Sequence, residues 1–152
     1  MKHAFSAFCF SVALAAALPC WGAEYYISPA GSDLAGNGSS TNPWASMAKA
    51  FTQMSGGDTL TLKDGVYSGV SNSIYFAQFP PHGSSNAWTV IKAEHDGAAI
   101  LDGRGSNEPL FYVDGNLSGP HPVYWRFEGL LCCNSPGVCF GFCYVSYVKA
   151  LR

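Results

Sequence analysis

Short runs of apolar, β-branched and aromatic residues recur along this sequence at wide intervals, and that spacing restricts the fold more than any other feature. The strongest runs are Thr59 to Leu62, Trp88 to Ala93, Val123 to Leu130 and Tyr144 to Lys149. Counted from Thr59, Trp88, Val123 and Val145, their starts lie 29, 35 and 22 residues apart. An antiparallel sandwich places strands roughly every 8–12 residues, joined by tight hairpins. Gaps of the size seen here suit one turn of a β-solenoid, in which each pass stacks on the last at about 4.8 Å. Shorter runs fill the intervals: Glu24 to Ser28, Val66-Tyr67, Ala99 to Asp102 and Leu110 to Val113. Gly, Pro, Asn and Asp lie between them, as strand boundaries require.

One segment has a helical period. Met47, Ala50, Phe51 and Met54 fall at i, i+3, i+4 and i+7 and form a single apolar stripe. Asn42-Pro43 or Ser46 can start this helix, and Gly56-Gly57 is expected to end it through a left-handed residue. At the head of a solenoid such a helix serves as a cap over the open end of the core and its bare strand edge.

The first residues read as an export signal. Met1-Lys2-His3 is a short basic end, Ala4 to Leu18 is apolar apart from Ser6 and Ser11, and Pro19 to Ala23 supplies a breaker and small residues, with cleavage expected after Ala23. The apolar run is short of the ~20 residues that a membrane span needs. Removing 1–23 leaves 129 residues and a formal charge of −3. Hydrophobic residues at 48% and charged ones at 12% exclude a disordered chain, and the acidic balance argues against a nucleic-acid partner.

Several segments together resemble a known family. They are Glu24-Tyr25-Tyr26-Ile27-Ser28-Pro29-Ala30-Gly31-Ser32-Asp33, Asn42-Pro43-Trp44-Ala45-Ser46-Met47-Ala48-Lys49-Ala50, Gly57 to Tyr67, Thr89 to Ala93 and Ala99 to Gly103. In these the chain is similar to the N-terminal portion of pectate-lyase-like proteins, which are secreted right-handed parallel β-helices. The resemblance covers Glu24 to Gly129 and loosens through the Cys-rich tail. It implies an all-β, right-handed parallel β-helix of about four coils, with a cap region at 24–57 and coils at 58–152. Family members have many more coils, and the chain stops in or just after a strand at Lys149-Ala150-Leu151-Arg152. It is therefore expected to be the N-terminal part of a longer, secreted or periplasmic protein that is monomeric in its full-length form.

For activity, the resemblance implies β-elimination of an acidic, pectate-like polysaccharide. A Lys or Arg base removes the proton beside the uronate carboxylate, and Ca²⁺ held by Asp and Glu, or a neutral acid, stabilises the resulting charge. That machinery belongs to the middle coils of the family. No catalytic, cofactor-binding or metal-ligating residue can be assigned in this chain from its sequence, where the acidic residues stand singly. A carbohydrate-binding or surface module without catalysis, and a glycoside hydrolase using two carboxylates on the same scaffold, are the alternatives.

Individual residues carry competing readings. Asp102 is the most inviting carboxylate, but beside Gly103 it reads as a turn residue capping its own backbone next to a left-handed glycine, and Asp58 and Asp64 read alike. Arg126 and Glu128 alternate with Trp125 and Phe127, and so share an outer strand face; a cross-strand ion pair is expected there, with a substrate-facing stripe as the rival reading. His82, His95 and His121 fall in loops without ligand spacing. Tyr75, Phe76, Trp88, Phe111, Tyr112, Tyr124 and Trp125 can stack on sugar rings, although packing between coils explains most of them. Four cysteines survive signal removal: Cys132, Cys133, Cys139 and Cys143. Their spacing departs from paired zinc motifs and leaves disulfides or buried thiols open. On a strand, Cys132 and Cys133 would point to opposite faces.

Overall fold

The computed structural model describes residues 22–75, 78–104, 110–114 and 122–151. The export-signal reading therefore falls almost wholly outside the described residues, as do Phe76 and His121. Among the described residues ten strands form three sheets beside one α-helix, and every pairing between the strands is parallel. The first sheet has the order β1 (Glu24–Ile27), β2 (Thr59–Leu62), β4 (Thr89–Ala93), β7 (Trp125–Glu128) and β10 (Val148–Leu151). The second holds β3 (Gly65–Ser68), β5 (Ala99–Asp102) and β8 (Leu130–Cys133). The third pairs β6 (Tyr112–Asp114) with β9 (Gly141–Cys143), and Ile74 joins it through a parallel bridge to Phe111. Along the chain each pass visits the first, second and third sheet in turn. This is why the main strands recur at long intervals.

Alternation within the strands makes the core. Tyr25, Leu60, Ile91, Phe127 and Ala150 stand in register across the first sheet, and Leu60, Ile91 and Phe127 are buried. From the other walls come Tyr67, Leu101, Ile74, Phe111 and Val113. Phe111 meets Phe127 edge-to-face at 4.4 Å and Phe142 at 5.4 Å, so rings of successive passes interlock. Burying each such side chain contributes about 1.5–3 kcal/mol. Tyr67 keeps its hydroxyl inside by approaching two carbonyl oxygens, Lys63 O at 2.7 Å and Ile27 O at 3.1 Å. Burial raises its pKa well above the ordinary phenol range.

The helix α1 runs over Met47–Gln53. Ser46 is its N-cap, accepting from the Lys49 amide, and Asp33 in turn accepts from the Ser46 hydroxyl at 2.7 Å. Met47 and Ala50 face the core. Gly56-Gly57 does not end this helix as expected. Met54 turns to extended backbone first, and Gly57, at φ +95°, serves the following turn, closed by Asp58 N to Ser55 O at 3.1 Å.

Two more expectations need correction. The run from Val123 to Leu130 is two strands, because Gly129 at φ +65° turns the chain from the first sheet to the second. The run from Tyr144 to Lys149 starts its strand late, at Val148, with Tyr144 and Tyr147 themselves at φ +55° and +60°. Both aromatics have strong strand propensity, but the corner into the sheet decides their backbone.

Candidate functional site

The outer face of the first sheet collects the charged strand residues. Alternation points Glu24 and Tyr26 of β1, Thr61 of β2, Lys92 of β4, Arg126 and Glu128 of β7 and Lys149 of β10 away from the core. Lys92 Nζ reaches Glu24 Oε1 at 3.1 Å, and the Thr61 hydroxyl donates to the same oxygen at 3.0 Å. These contacts, the Lys92 ammonium first, lower the pKa of Glu24. Arg126 Nε lies 2.8 Å from Glu128 Oε1 on the same strand, without a well-aligned hydrogen bond. The expected cross-strand pair is thus replaced at these residues by a pair two positions apart on β7. The ion pair that does cross strands is Glu24–Lys92, which spans β2. Arg126 and Lys149 stand directly opposite one another in register.

A row of aromatics lines one edge of this face. Trp88, Tyr124 and Tyr147 each precede the first residue of β4, β7 and β10. Tyr124 and Tyr147 stack at 4.6 Å with 16° between planes, and Trp88 meets Tyr124 edge-on at 5.6 Å. Lys149 Nζ sits 4.5 Å above the Trp88 ring. At this corner of successive passes the backbone of Gly57, Tyr124 and Tyr147 has positive φ. Glycine takes that shape freely, whereas a tyrosine pays about 1–2 kcal/mol for it. Stacking returns about 0.5–1.5 kcal/mol per pair.

Stacked passes also assemble a group that is scattered in sequence. Ligand atoms of Asp64, Glu94 and His95 lie within 4.8 Å of one another, because the turns after β2 and β4 are superposed. His95 Nδ1 is 2.9 and 3.0 Å from the two Asp64 oxygens, and this bond raises the His95 pKa. No sequence signal marks this trio; it follows from the strand register, in which Leu62 opposite Ala93 places Asp64 beside His95. Ca²⁺ asks for roughly six to eight oxygen ligands. This exposed trio offers two carboxylates and an imidazole nitrogen, with Lys63 Nζ 4.0 Å from Glu94. The donor set does not fit Ca²⁺.

Asp102 is a structural carboxylate. It accepts from the Arg104 amide at 2.9 Å, from the Arg104 guanidinium at 2.8 and 2.6 Å and from Asn134 Nδ2 at 2.9 Å. These donors, Arg104 foremost, hold its carboxyl well below the usual range. The turn reading holds, but Gly103 does not have the expected positive φ. A Cβ there would stand 2.6 Å from the Asn134 carbonyl oxygen, so close approach is what requires glycine. Asp58 is likewise a turn residue, accepting from Ser55 N and Ala23 N, both at 2.7 Å.

Of the other residues singled out, His82 is half-buried with its ring edge-on to Trp125 at 5.4 Å, rather than lying loose in a loop. Trp125 and Phe111 are core, and Tyr75 packs on Tyr112 at 6.2 Å. The four cysteines are free and half-buried. Burial pushes the Cys132 thiol up to about 12, and Cys143 Sγ lies 3.7 Å from the Tyr112 hydroxyl.

No family model matches the sequence. Pectate lyase PEL9 of Emericella nidulans is 30% identical over 122 residues, covering 75% of this chain. A solved rhamnogalacturonan lyase superposes with a TM-score of 0.53 at 21% identity, over 72% of this chain. The chain has the fold of the pectate-lyase-like β-helix superfamily. This β-helix spans 28% of the length of each of those two lyases. Among its described residues no helix is long and apolar enough to cross a membrane.

Proposed function

We propose that this β-helix is the N-terminal part of a secreted polysaccharide lyase that cleaves pectate-like uronates by β-elimination. The observation that carries the reading is the stack of all-parallel sheets whose outer face holds Lys92 and Arg126, ion-paired to Glu24 and Glu128, and Lys149, which has no carboxylate among its described contacts. Lysine and arginine side chains on such a face suit a polymer that carries carboxylates. The likeness to a pectate lyase and to a rhamnogalacturonan lyase supports the substrate class. In this reading 58–152 supply about four right-handed coils and 24–57 the cap, with Met47 and Ala50 of α1 closing the core. A cleft lined by Phe127, Leu130, Phe140, Ala150 and Leu151 beside β10 supports the stacking of further coils there.

Elimination needs a base to take the proton next to the uronate carboxylate, and Ca²⁺ in the full-length parent would offset the charge that develops. The role of the described residues is to bind and orient the polymer, and the base and the Ca²⁺ ligands belong to later coils. The test is incubation with polygalacturonate and Ca²⁺ while the absorbance of the unsaturated product is followed. The 152-residue chain is expected to bind without turnover, and a protein extended through its following coils to release product. Turnover by the short chain would overturn the assignment of catalysis to later coils. Binding without turnover by the extended protein would favour a carbohydrate-binding module.

A further inference from the structure

We propose that the exported chain is cut between Gly22 and Ala23, one bond before the position expected from the sequence, and that the new α-ammonium of Ala23 pairs with the Asp58 carboxylate. This rests on the export reading of the first residues and adds to it a defined N-terminus that the fold uses. Two independent observations converge on it.

The first is in the backbone. Ala23 precedes β1, yet it already takes part in the pairing with the next pass. Its carbonyl accepts from the Thr59 amide at 2.8 Å, and its nitrogen donates to Asp58 Oδ1 at 2.7 Å. Asp58 is only 7% exposed, and its other oxygen accepts from the Ser55 amide. A cut after Ala23 takes away the donor to Oδ1 and the acceptor of the Thr59 amide, and buried polar groups left without partners are costly. A cut before Ala23 keeps both contacts and turns the amide donor into an ammonium, which bonds a carboxylate about twice as strongly. Upstream, the chain runs hard against the turn at Gly57, where a Cβ on Gly22 would stand 1.9 Å from the Gly57 carbonyl oxygen. Release of Gly22 removes that crowding and leaves the ladder complete.

The second is what a signal peptidase reads in the unfolded chain: a small residue just before the cut and another two positions further back. A cut after Ala23 presents Ala23 and Trp21, with a bulky ring in the second place. A cut after Gly22 presents Gly22 and Cys20, both small. The other small pairs, Ala13 with Ala15 and Ala15 with Ala17, lie inside the apolar run, ahead of the breaker Pro19. In the reaction one water adds across the Gly22–Ala23 peptide bond. Gly22 leaves with the new carboxylate, and Ala23 keeps the amine, which takes up a proton at neutral pH.

The test is expression of the full 152-residue chain in a host with a signal peptidase, followed by N-terminal sequencing and intact mass. The exported protein is expected to begin at Ala23. A first residue at Glu24, or anywhere else inside the chain, overturns the cut site and leaves the export reading standing. A chain that keeps Met1 and stays inside the cell overturns the export reading and the cut with it. Cys20→Phe puts a ring two positions behind the small residue and should slow processing at Ala23; an unchanged rate overturns the site. The ion pair is read separately, on chains 23–152 and 24–152 released from a fusion partner without extra residues. The shorter chain should melt a few degrees lower. Nα-acetylated 23–152 keeps the donor and loses the charge, so its thermal midpoint should fall between the two. An acetylated chain as stable as the free amine overturns the ion pair.

Discussion

Asn134 donates its side-chain amide to Asp102 across 2.9 Å and ties the turn after β8 to the turn after β5. Asp102 is buried, and its second oxygen is occupied by Arg104. One carboxylate thus serves two turns of the helix. Asp102→Asn is expected to destabilise the fold, because a neutral amide cannot accept from both a guanidinium and Asn134 with a full charge. The wild-type pH profile follows from the lowered pKa. The carboxylate contributes fully above the ordinary carboxylate range and loses its contribution as pH falls through its depressed folded value. Urea melts between pH 2 and 6 should show an acid-sensitive slope that is reduced in Asp102→Asn.

His95 and Asp64 give the opposite sign. The Asp64 bond raises the pKa of His95. The pair contributes fully below the ordinary imidazole range and is lost as pH rises through the raised folded value. Both residues are exposed, so added salt weakens the effect. An NMR titration of the His95 ring should report a pKa above the ordinary value, and Asp64→Asn should return it toward that value.

The interior sets the size of core effects. Ile91 is fully buried between Leu60 and Phe127 in register, so Ile91→Ala should cost about 2–5 kcal/mol of unfolding free energy. Val66 on β3 is 50% exposed, and Val66→Ala should stay within about 0.5 kcal/mol. Guanidinium melts of the two variants test the contrast. Comparable losses would mean that the alternation on β3 is misassigned.

Gly57 and Gly97 separate strain from crowding. Both have positive φ, +95° and +75°. A Cβ at Gly57 would stand 3.0 Å from Ala87 Cβ, whereas one at Gly97 would meet nothing within 4 Å. Gly97→Ala should cost about 1 kcal/mol through backbone strain, and Gly57→Ala more, about 2 kcal/mol. Thermal midpoints of the two variants should therefore rank Gly57→Ala below Gly97→Ala.

Much of the architecture was readable from period and spacing. Thr59–Leu62 and Ala99–Asp102 are strands at the expected bounds, and of the stripe Met47, Ala50, Phe51 and Met54 all but Phe51 are buried, with Phe51 partly buried against the core. Local patterning carries this information because a strand or helix needs only its own alternation to declare a buried face. The Cys-rich tail was less legible. Cys132 and Cys133 lie on β8, where the pleat sends neighbouring side chains to opposite faces, and Cys132 joins the core cluster while Cys133 meets Asn134. The third sheet was partly missed, since β9 is a three-residue strand whose sequence, Gly-Phe-Cys, has no strand signature apart from its partner.

The sequence by itself determined which residues face inward and how far apart the passes lie, because burial and chain length act locally. Only the tertiary structure decided which side chains become neighbours from one pass to the next. His95 meets Asp64, Asn134 meets Asp102 and Tyr147 meets Tyr124 because parallel stacking in register superposes residues 23 to 32 positions apart. A one-residue change of register would turn each strand's side chains to the other face and dissolve all three contacts.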